Sequence, residues 1–545
     1  MAEEKNLAQN TEAPETPDVE LEGTHDEPVD SANEEYPHGL RLVTVVAAVM
    51  LTVFLTSLDQ TIVGTAIPKI TDEFHGLSQV SWYGSAYFMC LGGFQSSWGK
   101  AYRYFPLKLC FVVSVVIFEL GSLVCGVSPS SVAFIVGRAI AGVGGAGVSS
   151  GGTVILAFCA EPKKRPTLMG FVGVAYTVAA ICGPLIGGAF SDRVTWRWCF
   201  YINLPIGGVA LALLIVFFKT PSSASVVPAT WKQKIWHMDP VGIVLSMGAI
   251  ISFILALQYG GQTYDWSSSV VVGLLVGFVV ILAALAVAEY YQGEYAMMPL
   301  RLLKRRSLWT GCAYQFFFAS CYFLLLYYLP IYFQSIRGGD AIQSGVDNLP
   351  LVIAGCLAVL AGGIAVTKTR HATPFMALGA ALATVATGLL YTLDVDTPSA
   401  KWIGYQILAG AALAFPFQNA LNIAQADVDS SDISTVTATL YYFQVLGGAF
   451  SISSAQCAFV NVLLSSLRTS APGVNPLLVV NTGATELRSV FTAEQLQGIV
   501  RAYMEAIKAS FAVGIGMVGI AFVVSLICPW KRLHAGAVGD AMPVG

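Results

Sequence analysis

Fourteen apolar runs, each long enough to cross a lipid bilayer as a helix, constrain this chain more than any other feature of its sequence. They lie near 43–67, 79–99, 107–127, 132–157, 167–190, 197–218, 240–259, 269–290, 309–334, 347–367, 373–393, 402–424, 436–463 and 508–529. A helix needs about 20 apolar residues to traverse about 30 Å of hydrocarbon. The runs are continuous, whereas a membrane barrel shows alternating segments of about ten residues. Only 11% of the 545 residues are charged, against about 25% in ordinary soluble domains. The fold class expected is an all-α polytopic membrane protein with 14 transmembrane helices.

Charge distribution orients the expected bundle. Residues 1–40 carry twelve acids against the single base Lys5, the composition of a disordered acidic tail. They lack the basic and apolar regions of a cleaved signal peptide. The remaining body holds 28 Lys and Arg against 21 Asp and Glu. Compact basic clusters at Lys100/Arg103/Lys108, Lys163/Lys164/Arg165 and Arg301/Lys304/Arg305/Arg306 alternate with basic-poor turns. The positive-inside rule therefore predicts both termini in the cytoplasm. The eleven cysteines nearly all fall in apolar runs without ligand spacing, so neither a disulfide framework nor a metal site is expected. Gly99-Lys100 lacks the remainder of a phosphate loop, and no HExxH occurs. ATP-driven pumping and membrane enzymology are thereby disfavoured: no cofactor is expected.

Four stretches share one pattern. Leu58-Asp59-Gln60-Thr61-Ile62-Val63 lies in the first run and Gly137-Arg138-Ala139 in the fourth, with Gly142, Gly144, Gly145 and Gly147 after it. Gly183-Pro184-Leu185-Ile186-Gly187-Gly188 ends the fifth, and Trp196-Arg197-Trp198-Cys199-Phe200-Tyr201-Ile202-Asn203-Leu204-Pro205-Ile206-Gly207 opens the sixth. Together they resemble the fourteen-span drug:proton antiporters of the major facilitator superfamily, especially fungal toxin and multidrug efflux pumps, over residues 40–532. The resemblance implies the major facilitator fold, two six-helix bundles plus two inserted helices. The expected organisation is a tail at 1–40, an N-terminal bundle at 41–218, a linker with two extra helices at 219–308, and a C-terminal bundle at 309–530. That last bundle includes an extracellular loop at 464–507, and a cytoplasmic tail follows at 531–545. One element departs from the family: Tyr102 stands where an acid usually locks the loop between the second and third spans. A hydrogen bond from Tyr102, or simple anchoring by the basic residues, are the two alternatives.

An ionisable side chain deep in a span costs about 2.5–3.5 kcal/mol on insertion scales, so each needs a reason. Asp59, Glu119 and Arg138 are the three well inside spans, all in the expected outer half, where they can form one polar cluster. Either Asp59 or Glu119 is then the proton-coupling acid, modulated by Arg138; a static ion pair is the alternative. The family resemblance favours Asp59 and implies that Gly183, Pro184, Gly187 and Gly188 form the antiporter motif that seals one path. Small residues four apart also permit ordinary close helix packing. The fold's cavity-lining helices correspond to the first, fourth, ninth and twelfth spans, which offer Gln315, Phe318, Tyr322, Gln418, Asn419 and Asn422. Aromatic walls with a few amides suit amphipathic organic molecules. The function expected is proton-coupled efflux of such a compound from a monomer in the plasma membrane, with the vacuolar membrane as the other location. A proton-coupled importer of a nutrient or iron chelate, or a non-transporting sensor, are the rival readings.

Overall fold

The residues that punctuate the apolar runs define the helices. A computed structural model describes residues 39–74, 79–159, 165–220, 228–428, 432–482, 487–530 and 532. Of the expected tails at 1–40 and 531–545, residues 1–38, 531 and 533–545 lie outside the described residues, as do Lys163 and Lys164. The principal helices are α1 (Leu40–Phe74), α2 (Val80–Tyr104), α3 (Leu107–Val127), α4 (Ser131–Cys159), α5 (Arg165–Arg193) and α6 (Asn203–Phe217). Next come α7 (Pro240–Tyr259), α8 (Ser269–Gln292), α9 (Arg306–Ile331), α10 (Leu349–Thr369), α11 (Thr373–Tyr391) and α12 (Ser399–Ala414). The last two are α13 (Ile433–Ser470) and α14 (Ala493–Ile527). Pro106 precedes α3, and Asp239 caps α7 with Pro240 at its first position, so both helices begin where proline fixes the backbone.

Twelve helical stretches among the described residues are long and apolar enough to cross a membrane. The two other predicted spans are also helical: α2, filled with Ser, Gly, Trp and Tyr, and α5. Proline acts differently at each site. Helix α5 runs on through Pro184. Pro330 lies at the end of α9, which continues into a π-helical turn at Tyr332–Ile336. At Pro416 the helix stops at Ala414, resuming as the short helix Asn419–Ala426. The expected loop at 464–507 is shorter than predicted, because α13 continues to Ser470 and α14 starts at Ala493. Counting apolar residues against the bilayer misses this extension. Leu467, Val479, Leu487, Ile499 and Tyr503, all between the predicted span ends, belong to one buried apolar cluster.

The packing pattern repeats. Helices α1·α5, α2·α4, α3·α4, α1·α6 and α3·α6 pack together, and eight places further on so do α9·α13, α10·α12, α11·α12, α9·α14 and α11·α14. Two six-helix units with one internal plan result. They meet where α2 packs on α13 and α5 on α10, which are equivalent pairs under the same offset. Helix α7 packs on α2 and α13, while α8 packs chiefly on α7.

Glycine sets the closest approaches. A side-chain carbon on Gly144 would collide with the backbone nitrogen of Phe118, and one on Gly121 with that of Ala141. The α3–α4 seam is therefore backbone against backbone, the packing that small residues permit in membranes. Gly144→Ala should cost about 1–3 kcal/mol through overpacking, seen as a lower thermal midpoint in detergent. Gly277→Ala, which meets nothing within 4 Å, should leave that midpoint unchanged.

Candidate functional site

The Trp196–Gly207 stretch builds one wall of the site. Trp196 Nε1 donates to Glu73 Oε2 at 2.5 Å, and Arg197 pairs with Glu73 at 2.7 Å. Arg197 Nη1 also donates to the carbonyls of Gly126 and Ser128 at 2.9 and 2.7 Å. One basic side chain thus ties together the end of α1, the α3–α4 turn and the start of α6. Inward from this staple, Phe200 packs edge-on against Phe134, and Asn203 Nδ2 donates to Ser122 Oγ at 3.0 Å.

Behind that wall, Arg138 of α4 is ion-paired to Asp59 of α1, and both side chains are fully buried. Arg138 Nη1 donates to Asp59 Oδ2, and Nε donates to the Tyr83 carbonyl at 2.9 Å. The guanidinium lies 4.4 Å from the Tyr87 ring centroid and 5.9 Å from that of Phe200, within cation–π range. The Asn203 side chain approaches Asp59. The shell is incomplete. Among the described residues Asp59 Oδ1 and Arg138 Nη2 make no hydrogen bond of good geometry, and a buried pair is stable only when its remaining hydrogen-bonding positions are satisfied. The glycine run serves this cluster too, since Gly145 leaves room for the Tyr87 hydroxyl.

Glu119 stands apart from the ion pair. Its carboxylate packs against Gly207 on α6, neither oxygen is hydrogen-bonded among the described residues, and its charge feels that of Asp59 rather than Arg138. The three expected charges therefore occupy one neighbourhood, with a single ion pair between Asp59 and Arg138.

The Gly183–Gly188 element has two faces. Side-chain carbons on Gly183 and Gly187 would collide with Thr61 Oγ1 and Thr65 Oγ1 of α1, and Thr61 Oγ1 donates to the Ala179 carbonyl at 3.2 Å. Gly188 is buried. The Pro184 carbonyl instead bears on Gly345, whose Cβ would come within 2.6 Å of it. Gly345 belongs to the short helix Ala341–Asp347 of the C-terminal unit, and Ile342 N donates to Asp192 Oδ2 at 2.8 Å. The element thus seals α1 to α5 and abuts the opposite unit.

The residues expected to line the cavity separate into two groups. Phe318 is buried and stacks on Tyr314 at 4.8 Å, and Asn419 is buried with Nδ2 donating to the Ala372 carbonyl at 3.4 Å. Gln315 is buried as well, donating to the Phe417 carbonyl at 3.2 Å and to Gln444 at 3.3 Å. These three are packed within their own unit, because the face of α9 that carries Tyr314 and Phe318 turns towards α11. Tyr322 and Asn422 are half-buried and Gln418 is exposed, beside the helix break at Pro416. Sequence reasoning missed Tyr83, Tyr87, Phe200, Asn203 and Tyr327. The spacing Tyr83/Tyr87, one helical turn apart, was the available signal for the first two.

At the basic face, Tyr102 donates to the Gly147 carbonyl at 2.8 Å, the first of the two sequence alternatives. Lys100 Nζ donates to the carbonyls of Tyr295 and Ala296 at 2.6 and 3.2 Å. Asp239 receives Gly242 N and Met297 N, both at 2.8 Å. The segments flanking the inserted helices thus hold the α2 terminus where the family's loop acid is missing.

This fold and its buried charge pair define a multi-pass membrane transporter. The chain belongs to the Major Facilitator Superfamily, whose family model matches residues 49–452. It is 67% identical over 518 residues to the MFS-type transporter thnB of Trichoderma harzianum, covering 94% of this chain and 89% of that protein. It is 52% identical to the probable efflux pump gsfJ of Penicillium aethiopicum, covering 94% of this chain and 91% of the relative. Identity to the efflux pump notK of Aspergillus sp. (strain MF297-2) is 40%, covering 95% and 92%. The fold matches a bacterial homologue of the human lysosomal transporter Spinster in an inward-facing, unoccupied conformation. That match has a TM-score of 0.62 at 14% identity, covering 90% of this chain and 98% of that one.

Removing one partner of a buried pair leaves an uncompensated charge and costs about 3–5 kcal/mol. Arg138→Gln should therefore lower the thermal midpoint in detergent more than Asp59→Asn/Arg138→Gln does. A double-mutant cycle should give a coupling energy above about 0.5 kcal/mol, and strict additivity would remove the pair from the account of stability.

Proposed function

We propose that the protein exports a hydrophobic or amphipathic organic compound in exchange for protons, with Asp59 as the coupling carboxylate and Arg138 as its switchable counter-ion. The observation that carries this reading is the buried Asp59–Arg138 pair with unused hydrogen-bonding capacity on both partners. Such a pair is expensive in a membrane and is commonly found on proton pathways. Relatives named efflux pumps support the direction of transport. Glu119, coupled to Asp59 and free of its own cation, is the second proton carrier in this reading. Tyr322, Gln418 and Asn422 are the substrate contacts we favour, an aromatic and amide set suited to a small amphipathic molecule.

In this reading the chain has fourteen spans, counting α2 and α5, which put both termini on one side; the basic clusters favour the cytoplasm for that side, and the plasma membrane is the location that suits export. The protein works as a monomer, uses no cofactor or ATP, and catalyses no chemical conversion. The driving force is adequate. One proton crossing about 100 mV supplies about 2.3 kcal/mol, and each pH unit adds about 1.36 kcal/mol. At one proton per molecule the two together hold roughly a 500-fold gradient of a neutral compound. Comparison of metabolites in medium and cells, with and without the protein, identifies the compound. In vesicles loaded with that compound and matched for the amount of protein, Asp59→Asn should abolish both uphill export and substrate-evoked proton movement. Uphill export by the variant would remove Asp59 from the coupling role and leave Glu119.

A further inference from the structure

One side chain of the C-terminal unit reaches the ion pair of the N-terminal unit. Tyr327, near the end of α9 that faces α1 and α2, is buried with its ring laid over Gly84 of α2. A Cβ on Gly84 would stand 2.7 Å from the Tyr327 hydroxyl and 2.9 Å from two ring carbons, so glycine is what permits the approach. One residue earlier, the Leu326 carbonyl lies 3.2 Å from the position a Cβ on Gly64 of α1 would take. The Tyr327 hydroxyl interacts with the Arg138 guanidinium. Among the described residues neither that hydroxyl nor Arg138 Nη2, both buried, makes a hydrogen bond of good geometry, so their mutual contact is a loose one. A buried donor and a buried acceptor, close together but loosely joined, form an arrangement with a second, tighter state available.

We propose that Tyr327 is a positioning residue that reports the protonation of Asp59 to the opposite half of the transporter, by accepting the hydrogen bond that Arg138 releases. The inference rests on Asp59 being the coupling acid. With Asp59 ionised, Arg138 is held by it and touches Tyr327 only loosely. When Asp59 takes up a proton the ion pair dissolves, and Arg138 Nη2 donates to the Tyr327 hydroxyl, which fastens α9 over α1 and α2. Protonation then favours closure of this end, the order an antiporter requires: a proton that enters from this side closes the door behind it. Loss of the proton at the other side returns Arg138 to Asp59 and frees α9. Other titratable groups facing the pair are Tyr83 and Tyr87 from α2, Cys125 and Glu119 from α3, Cys199 before α6, and Tyr176 beyond Tyr87 on α5. Tyr327 is the member of this set contributed by the C-terminal unit.

The test uses protons alone as the probe, on the full chain in proteoliposomes without substrate. Genetically encoded spin labels at the exposed positions Ser130 and Ser399, on turns of the two units at this end, report closure as a function of pH. The wild-type protein should close on acidification. Tyr327→Phe removes one loosely held oxygen and keeps the ring, so abundance and thermal midpoint should not change. Its closure midpoint should move about one pH unit towards acid, a roughly ten-fold loss suited to a hydrogen bond with a charged donor. Gly84→Ala, which displaces the ring, should move the midpoint the same way. An unmoved midpoint in Tyr327→Phe, with closure pH-insensitive in Asp59→Asn, overturns this inference and leaves the Asp59 reading intact. A normal pH response in Asp59→Asn overturns the reading of Asp59 and the inference with it.

Discussion

A guanidinium and a carboxylate, neither reached by solvent, sit between α1 and α4, and the local architecture is organised to hold them. Coulomb attraction alone does not hold such a pair in place, because the desolvation of each charge offsets it. Arg138 is therefore supported on several sides: by a backbone carbonyl of α2, by the face of Tyr87 and by the ring of Phe200. Each support has its own requirement. The Tyr87 ring needs the glycines of α4, Phe200 needs the aromatic wall with Phe134, and that wall is held by the Arg197 staple to Glu73. What the shell leaves unsatisfied is as telling as what it satisfies. A pair saturated with hydrogen bonds would be a structural rivet, whereas this one keeps an oxygen and a nitrogen in reserve.

The second constraint is the distance between helices. Inside a bilayer, association depends on packing and hydrogen bonds, since lipid tails are as apolar as the helices themselves. The chain answers with 53 glycines, several at positions where no side chain fits. Those at 121 and 144 bring α3 and α4 into backbone contact, and those at 183 and 187 leave room on α5 for the hydroxyls of Thr61 and Thr65 of α1. The units are rigid inside and join through fewer elements: α2 on α13, the Pro184 stretch on Ala341–Asp347, and α9 on α1. Rigid bodies with a limited seam suit alternating access by rocking about a fixed site.

Much of the fold was legible because the membrane imposes its own ruler on sequence. The runs at 107–127 and 240–259 match their helices residue for residue, since proline and capping residues stand directly at those ends. The charged members of the site were legible for a related reason: a buried charge in an apolar run has no neutral explanation. Arg138 and Asp59 announced themselves, though their pairing, with Glu119 left aside, is a tertiary fact. The aromatic members were not legible. In a chain with 22 tyrosines and 30 phenylalanines, nothing local separates Tyr87 or Tyr327 from a ring that merely faces lipid. Phe318 shows the converse, an aromatic expected beside a cavity that instead stacks on Tyr314 within its own unit.

Helix α13 is 38 residues long, which at 1.5 Å per residue is about 57 Å, nearly twice the hydrocarbon thickness of a bilayer. Helix α14, at 35 residues, is almost as long and packs alongside it. Leu467 of α13 and Ile499 of α14 share a buried apolar cluster with Val479 and Leu487 of the short helices between them, so the excess length is a packed extension of the C-terminal unit rather than a slack loop. At that length it reaches past the hydrocarbon as a stiff mast belonging to the C-terminal unit. A binding protein raised against that mast would ride with the C-terminal unit without wedging the seam between the halves. It would add an asymmetric landmark to a particle otherwise hidden in its detergent belt, which is what single-particle imaging of so small a membrane protein requires.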